Sequence, residues 1–170
     1  VGDDLVLTKW AGLEGTAIIA AQKREKLLET LPEELVDTAA DFYQYLSVVP
    51  EAKIAVETGV SAMHDVTEGG IFGALWEIGA AADLGISADL TKIPIRQETI
   101  EVCEVFGINP YQMMSSGSML IGCAKGNLLV DRLKESGIPA AVIGRATDSN
   151  DRVITNGEET RFLEPAGSDE

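Results

Sequence analysis

The chain has 170 residues, 45% of them hydrophobic, and 28 acidic against 13 basic side chains give it a net charge of −15. That length supports one sizeable domain with its own core. The charge argues against nucleic acid and against a membrane surface as partners, and it repels ATP unless glycine amides, a metal ion or another domain compensates. No secretory leader and no run of about 18 apolar residues is present, so a cytoplasmic location is expected. Cys103 and Cys123 lie in apolar segments without metal-ligand spacing and read as buried free thiols.

Asp4–Thr8 is strand-like from the outset, with no initiator methionine before it, and Pro165–Glu170 ends polar. Both ends therefore read as cuts in a longer protein. After a loop over residues 9–15, in which Trp10 and Leu13 read as core, Thr16 is expected to open a helix continuing towards Leu31. Beyond Pro32, the stripe Leu35, Ala39, Phe42, Leu46 predicts a second helix. Pro50 starts a shorter helix over Glu51–Thr58, ended by Gly59, and Val60–Met63 reads as a short strand. A helix follows, with Ile71, Leu75, Ile78 and Ala82 on its apolar face, closed at Asp83–Gly85. Alternation predicts a strand at Ile86–Leu90, and a helix is expected over Gln97–Phe106 with Thr99, Val102, Cys103 and Phe106 inward. The nearly all-apolar Ser118–Ala124 reads as an interior strand, followed by a helix at Asn127–Glu135 and a buried strand at Ala140–Ile143. A hairpin closes the chain: Arg152–Thr155, the turn Asn156–Gly157, then Thr160–Leu163. Strands and helices interleave without strict alternation, which predicts an α/β sandwich with a mixed sheet and a single domain over residues 1–170.

The candidate site is the stretch Ser61–Ala82. It holds the sole histidine, His64, followed by Asp65, then Thr67 as a helix cap, Glu68, and the pair Gly69–Gly70. Glycine opposes helix formation by about 1 kcal/mol relative to alanine, so two at a helix start suggest close backbone approach. A strand, a polar turn and a glycine-bared helix start form a place where amides and the positive helix end meet an anion. His64, Asp65 and Glu68 within one turn do not make a convincing metal site, so no metal is expected on this chain alone. No Gly-x-Ser-x-Gly elbow is present. Ser115-Ser116-Gly117, at another strand junction, is either a plain turn or a second oxygen-binding loop facing the first. Lys9 and Lys92 are the basic residues nearest the glycine loops, and neither lies in a phosphate-cradling pattern.

Taken in order, these stretches resemble the C-terminal domain of the AIR synthase-related superfamily, which includes aminoimidazole ribonucleotide synthetase, selenophosphate synthetase, thiamine-monophosphate kinase and the hydrogenase maturation carbamoyl dehydratase. The resemblance covers essentially the whole chain. Residues 2–15 resemble the interdomain strand and its loop, and His64-Asp-Val-Thr-Glu-Gly-Gly70 resembles a His-Asp-x-Thr-x-Gly-Gly motif. Ser115–Ile121 resembles the glycine loop and central strand, and Pro139–Arg145 the late strand. The hydrogenase maturation branch is the most similar, through Gly-Leu-Glu-Gly at 12–15 and the motif at 64. The chain departs from it in Val66 and Glu68, where proline and arginine are expected, and in lacking a terminal carrier cysteine. Those departures point to a related factor rather than to the dehydratase itself.

The resemblance implies a three-layer α/β/α domain of partial ferredoxin-like topology. It also implies a missing N-terminal domain that binds most of the ATP and magnesium, a homodimer in the full-length protein, and a small-molecule substrate or partner maturation protein. Phosphoryl transfer to a carbonyl-type oxygen is the shared chemistry. In that frame His64 is a polar or acid/base contact oriented by Asp65. Thr67, Glu68, Gly69, Gly70, Ser115, Ser116 and Gly117 border the substrate or its anionic group. The competing expectation is a non-catalytic interaction or ligand-sensing domain that keeps the fold and docks a partner through its acidic face.

Overall fold

The computed structural model describes residues 2–66, 69–113, 115 and 117–163. Thr67, Glu68 and Ser116, three of the residues expected at the site, lie outside the described residues. Seven strands form one mixed sheet: β1 (Asp4–Thr8), β2 (Ala62–Asp65), β3 (Gly85–Asp89), β4 (Met119–Cys123), β5 (Ala140–Thr147), β6 (Arg152–Asn156) and β7 (Glu159–Phe162). Their order is β2-β4-β1-β5-β3-β6-β7. Only β3 and β6 run parallel; the other neighbouring pairs are antiparallel.

Among the described residues the α-helices are α1 (Leu13–Gln22), α2 (Arg24–Leu28), α3 (Glu33–Ala40), α4 (Val49–Thr58), α5 (Gly70–Ala82), α6 (Gln97–Phe106) and α7 (Gly126–Glu135). Alternation along the strands sends side chains to both faces of the sheet. Leu5, Leu7 and Leu120 face α5, where Ile71, Leu75 and Ile78 complete one core. Val6, Ile121 and Cys123 face the opposite way, into a second core with α4 and α7 that includes Ala55, Leu129 and Leu133. This is the expected α/β/α sandwich. The antiparallel run β4-β1-β5-β3 is its ferredoxin-like part. That likeness is partial because α5 and α7 cover opposite faces. A third cluster joins α1, α2, α3 and α6 through Ala20, Leu27, Val36, Ala39 and Val102.

Several boundaries differ from expectation for identifiable reasons. The first helix begins three residues early, at Leu13, because Gly12 takes a left-handed conformation and Leu13 and Ala17 pack with Trp10 and Phe42. It breaks at Lys23 instead of running to Leu31. The helix after Pro32 ends at Ala40 and continues as a 3-10 turn, Asp41–Tyr45. The buried series is Val36, Ala39, Phe42, and Leu35 is only half-buried. The strand before the central helix is Ala62–Asp65, so His64 and Asp65 lie within β2 rather than beyond it. β5 extends through polar residues to Thr147 because both its neighbours, β1 and β3, supply ladder partners.

Candidate functional site

Three loops meet beside the first turn of α5. Gly69 and Gly70 both adopt positive φ, 82° and 62°, a region that costs a side-chain-bearing residue about 1 kcal/mol or more. A Cβ on Gly70 would lie 2.6 Å from the carbonyl oxygens of both Tyr111 and Met113. The helix start is thus pressed onto the turn Pro110–Met113, and the Phe72 amide donates to Tyr111 O at 3.1 Å. The Phe72 and Tyr111 rings stack with centroids 5.4 Å apart and planes at 13°. Burial pushes the Tyr111 phenol above its ordinary range. From the other side, Gly12 at the start of α1 abuts the same turn, where a Cβ would sit 2.9 Å from Met113 Cε and 3.3 Å from Pro110 O. One first-turn amide expected to face an anion is therefore committed to a protein carbonyl.

His64, opposite Leu120 on the edge strand β2, has acceptors at both ring nitrogens. Nδ1 is 2.6 Å from the main-chain oxygen of Asp65, and Nε2 is 2.7 Å from Glu77 Oε2 on α5. Asp65 orients the ring through its carbonyl; the carboxylate in contact is that of Glu77. Nothing in the sequence linked positions 64 and 77, since Glu77 lies on the helix face away from the apolar stripe.

Ser115 is fully buried and points inward. Its hydroxyl accepts from the Leu13 amide at 3.4 Å and lies 3.2 Å from Ser118 Oγ, while Ser118 donates to Trp10 O at 2.6 Å. These bonds fasten the glycine loop to the start of α1. Gly117 is tied down by Lys9, whose Nζ donates to the carbonyls of Gly117, Ser47 and Tyr45 at 2.9, 2.8 and 2.6 Å. The same ammonium is 3.0 Å from Glu51 Oε1. Thr8 Oγ1 donates to Glu51 Oε2 at 2.5 Å and accepts from the Met119 amide at 2.9 Å. Lys9 is 7% exposed and Glu51 1%. Buried charges persist when paired and hydrogen-bonded. Sequence reasoning misses this network, because its only signal is an opposite charge flanking each of two apolar runs. Among the described residues no group of three or more His, Cys, Asp or Glu is placed to hold a metal ion, and no helix is long and apolar enough to cross a membrane.

Residues 1–156 match the family described as AIR synthase related protein, C-terminal domain. The chain is 30% identical over 149 residues to the carbamoyl dehydratase HypE of Rhodobacter capsulatus, covering 85% of this chain and 42% of that protein. It is 26% identical over 157 residues to a putative hydrogenase expression/formation protein of Methanocaldococcus jannaschii, covering 90% of this chain and 44% of that one. Among solved structures, E. coli HypE superposes with a TM-score of 0.80 at 23% identity, over 99% of this chain and 51% of that one. Thus the chain spans less than half the length of these two curated relatives. The order of glycine loops around β1, β4 and α5, together with the match over residues 1–156, establishes that the chain belongs to the AIR synthase-related family as its C-terminal domain.

Proposed function

We propose that this chain is the substrate-side half of an ATP-dependent enzyme of the hydrogenase maturation kind, working in the cytoplasm. The observation that carries this is the close approach of the Gly12 and Gly70 backbones to the Pro110–Met113 turn, at one end of α5. Such a rigid, backbone-lined surface suits the positioning and charge stabilisation that phosphoryl transfer asks of a protein. In this reading ATP and magnesium are held mainly by a domain that precedes this chain, within a homodimer. A related HypE has been crystallised with ATP, and another with HypF. The partner is accordingly a small-molecule substrate, or a maturation protein that delivers it. His64, positioned by Asp65 O and Glu77, contacts the substrate or moves a proton. Gly69 and Gly70, with Thr67 and Glu68 between them and His64, border its anionic group. The Ser115 hydroxyl, buried against Trp10 and Leu13, holds the start of α1 in place behind that surface.

The test is His64→Ala in the protein that carries both halves. Loss of ATP-dependent turnover by about 100-fold or more, the low end for a positioned acid/base group, with an unchanged melting temperature, is the expected result. A variant that melts early while its folded fraction keeps full turnover would show His64 to be structural.

A further inference from the structure

A cavity of about 210 Å³ lies between the last turns of α5 and the sheet, floored by Leu5, Ile86 and Gly122 and walled by Ile78. Asp3 and Ser61 are its polar lining residues, and no basic side chain borders it. The 13 residues of α5 separate it by about 20 Å from the glycine turns at the helix start. The proposed function does not use it. An aliphatic-lined cavity of about 150 Å³ holds benzene, so this one has room for a small apolar body and a head group.

Gly122 keeps the space open. It stands in the interior strand β4, between Ala62 on β2 and Leu5 on β1, and its φ is not positive. A glycine weakens a strand interior and often marks the close approach of another group. Gly144, on the far side of Leu5, has such a neighbour, because a Cβ there would lie 2.4 Å from Ser87 O. At Gly122 the nearest atoms to a Cβ would be Ser61 Oγ at 3.4 Å and Ala62 Cβ at 3.6 Å, which is ordinary van der Waals contact. Among the described residues nothing requires a glycine at this position. The same Ser61 hydroxyl lies 3.1 Å from Gly122 O and donates to Asp3 Oδ2. That bond places the Asp3 carboxylate at the rim of the space Gly122 leaves. Asp3 is half-buried and makes no ion pair among the described residues.

We infer that this cavity binds a small aliphatic amine, with a body of about four or five carbons over Gly122 and an ammonium on the Asp3 carboxylate. The carbon chain lies against Leu5, Ile78 and Ile86, and Ser61 holds the carboxylate in place before the ligand arrives. A cationic head is favoured over an anionic one because the lining carries Asp3 without a cation, in a chain of net charge −15. This site stands independently of the proposed function.

Titrations of the 170-residue chain with butylamine, pentylamine and 1-pentanol, at pH 7 and fixed ionic strength, test this. Both amines are protonated at that pH, as a lysine ammonium is. The ¹³C-methyl NMR signals of Leu5, Ile78 and Ile86 should move saturably, while those of Leu129 and Leu133, in the opposite core, stay still. The added methylene of pentylamine should tighten binding about fourfold over butylamine. The neutral alcohol should bind about fivefold more weakly than pentylamine, and Asp3→Asn should remove that difference. Gly122→Val, which fills the cavity from its floor, should abolish the saturable shifts. The comparison of amine with alcohol uses the parent chain, so the test stands even if Gly122→Val fails to fold. No saturable shift, equal affinity for pentylamine and 1-pentanol, or undiminished binding in a folded Gly122→Val chain would overturn the inference. None of these results bears on turnover, so failure here is distinct from failure of the proposed function.

Discussion

Cys103 shows how far burial alone changes a side chain's chemistry. It is 2% exposed on the inner face of α6, and desolvation pushes its thiol from 9.0 up to about 11. The thiolate is the nucleophile, so at pH 8 the folded chain should leave Cys103 unalkylated by iodoacetamide, with labelling only once it unfolds. Mass spectrometry of native and denatured samples checks this; rapid native labelling of Cys103 would refute it. The same shift bears on stability. A folded pKa raised above the unfolded one favours the neutral thiol, so the contribution is complete below pH 9 and lost as pH rises through about 11. Tyr111, raised by burial, acts in the same direction. A Cys103→Ala chain should accordingly lose less stability than the parent between pH 9 and 11.

At the scale of the element, α5 carries the α5-side core. Ile71 and Leu75 are wholly buried and Ile78 is 7% exposed, against Leu7, Leu120 and Ile143 from three neighbouring strands. Truncating Leu75 to alanine leaves a cavity that strands on a sheet cannot collapse to fill, so the expected cost is about 2–5 kcal/mol. Urea denaturation measures it, and a Leu75→Ala chain with the parent's midpoint would mean the wrong helix face had been assigned to the core. The stripe of Ile71, Leu75 and Ile78 was legible because apolar residues recurring at the helical period of 3.6 line one helix face, whereas the two-residue period of a strand would scatter them. The start of the helix at the glycine pair was legible too, but not what that start packs against. It depends on Gly69 and Gly70 accepting positive φ against Tyr111 and Met113, some 40 residues further along.

For the whole molecule, charge governs what the chain binds unaided. One helix terminus contributes about 0.3–1 kcal/mol towards an exposed anion, and up to about 2 when partly buried. One amide of α5's first turn is already committed to Tyr111 O. Micromolar affinity for ATP needs about 8 kcal/mol, against the repulsion of a net charge of −15. Calorimetry with ATP and magnesium should therefore show no micromolar binding to this chain by itself. A micromolar dissociation constant would make it a self-sufficient nucleotide module and end the two-half account.

The sequence by itself determined the elements and the layers. Apolar spacing at the helical period marked α5 and α6, apolar runs and alternation marked β1, β3 and β4, and Asn156-Gly157 marked the terminal hairpin. These are local signals, set within one turn of helix or a few strand residues, and they survive folding because the core rewards them. Glycines 12, 70 and 117 could be identified as special, though not what they approach. Only the tertiary structure decided the partners. It brought Glu77 to His64, turned Ser115 inward to the Trp10–Leu13 turn, and buried Lys9 with Glu51 across a strand and a helix start. Each of these pairings joins residues more than a dozen positions apart in the chain. Strand order fixes them, and no local pattern encodes strand order, because the same apolar strand pairs equally well on either side until the loops and the opposite face constrain it.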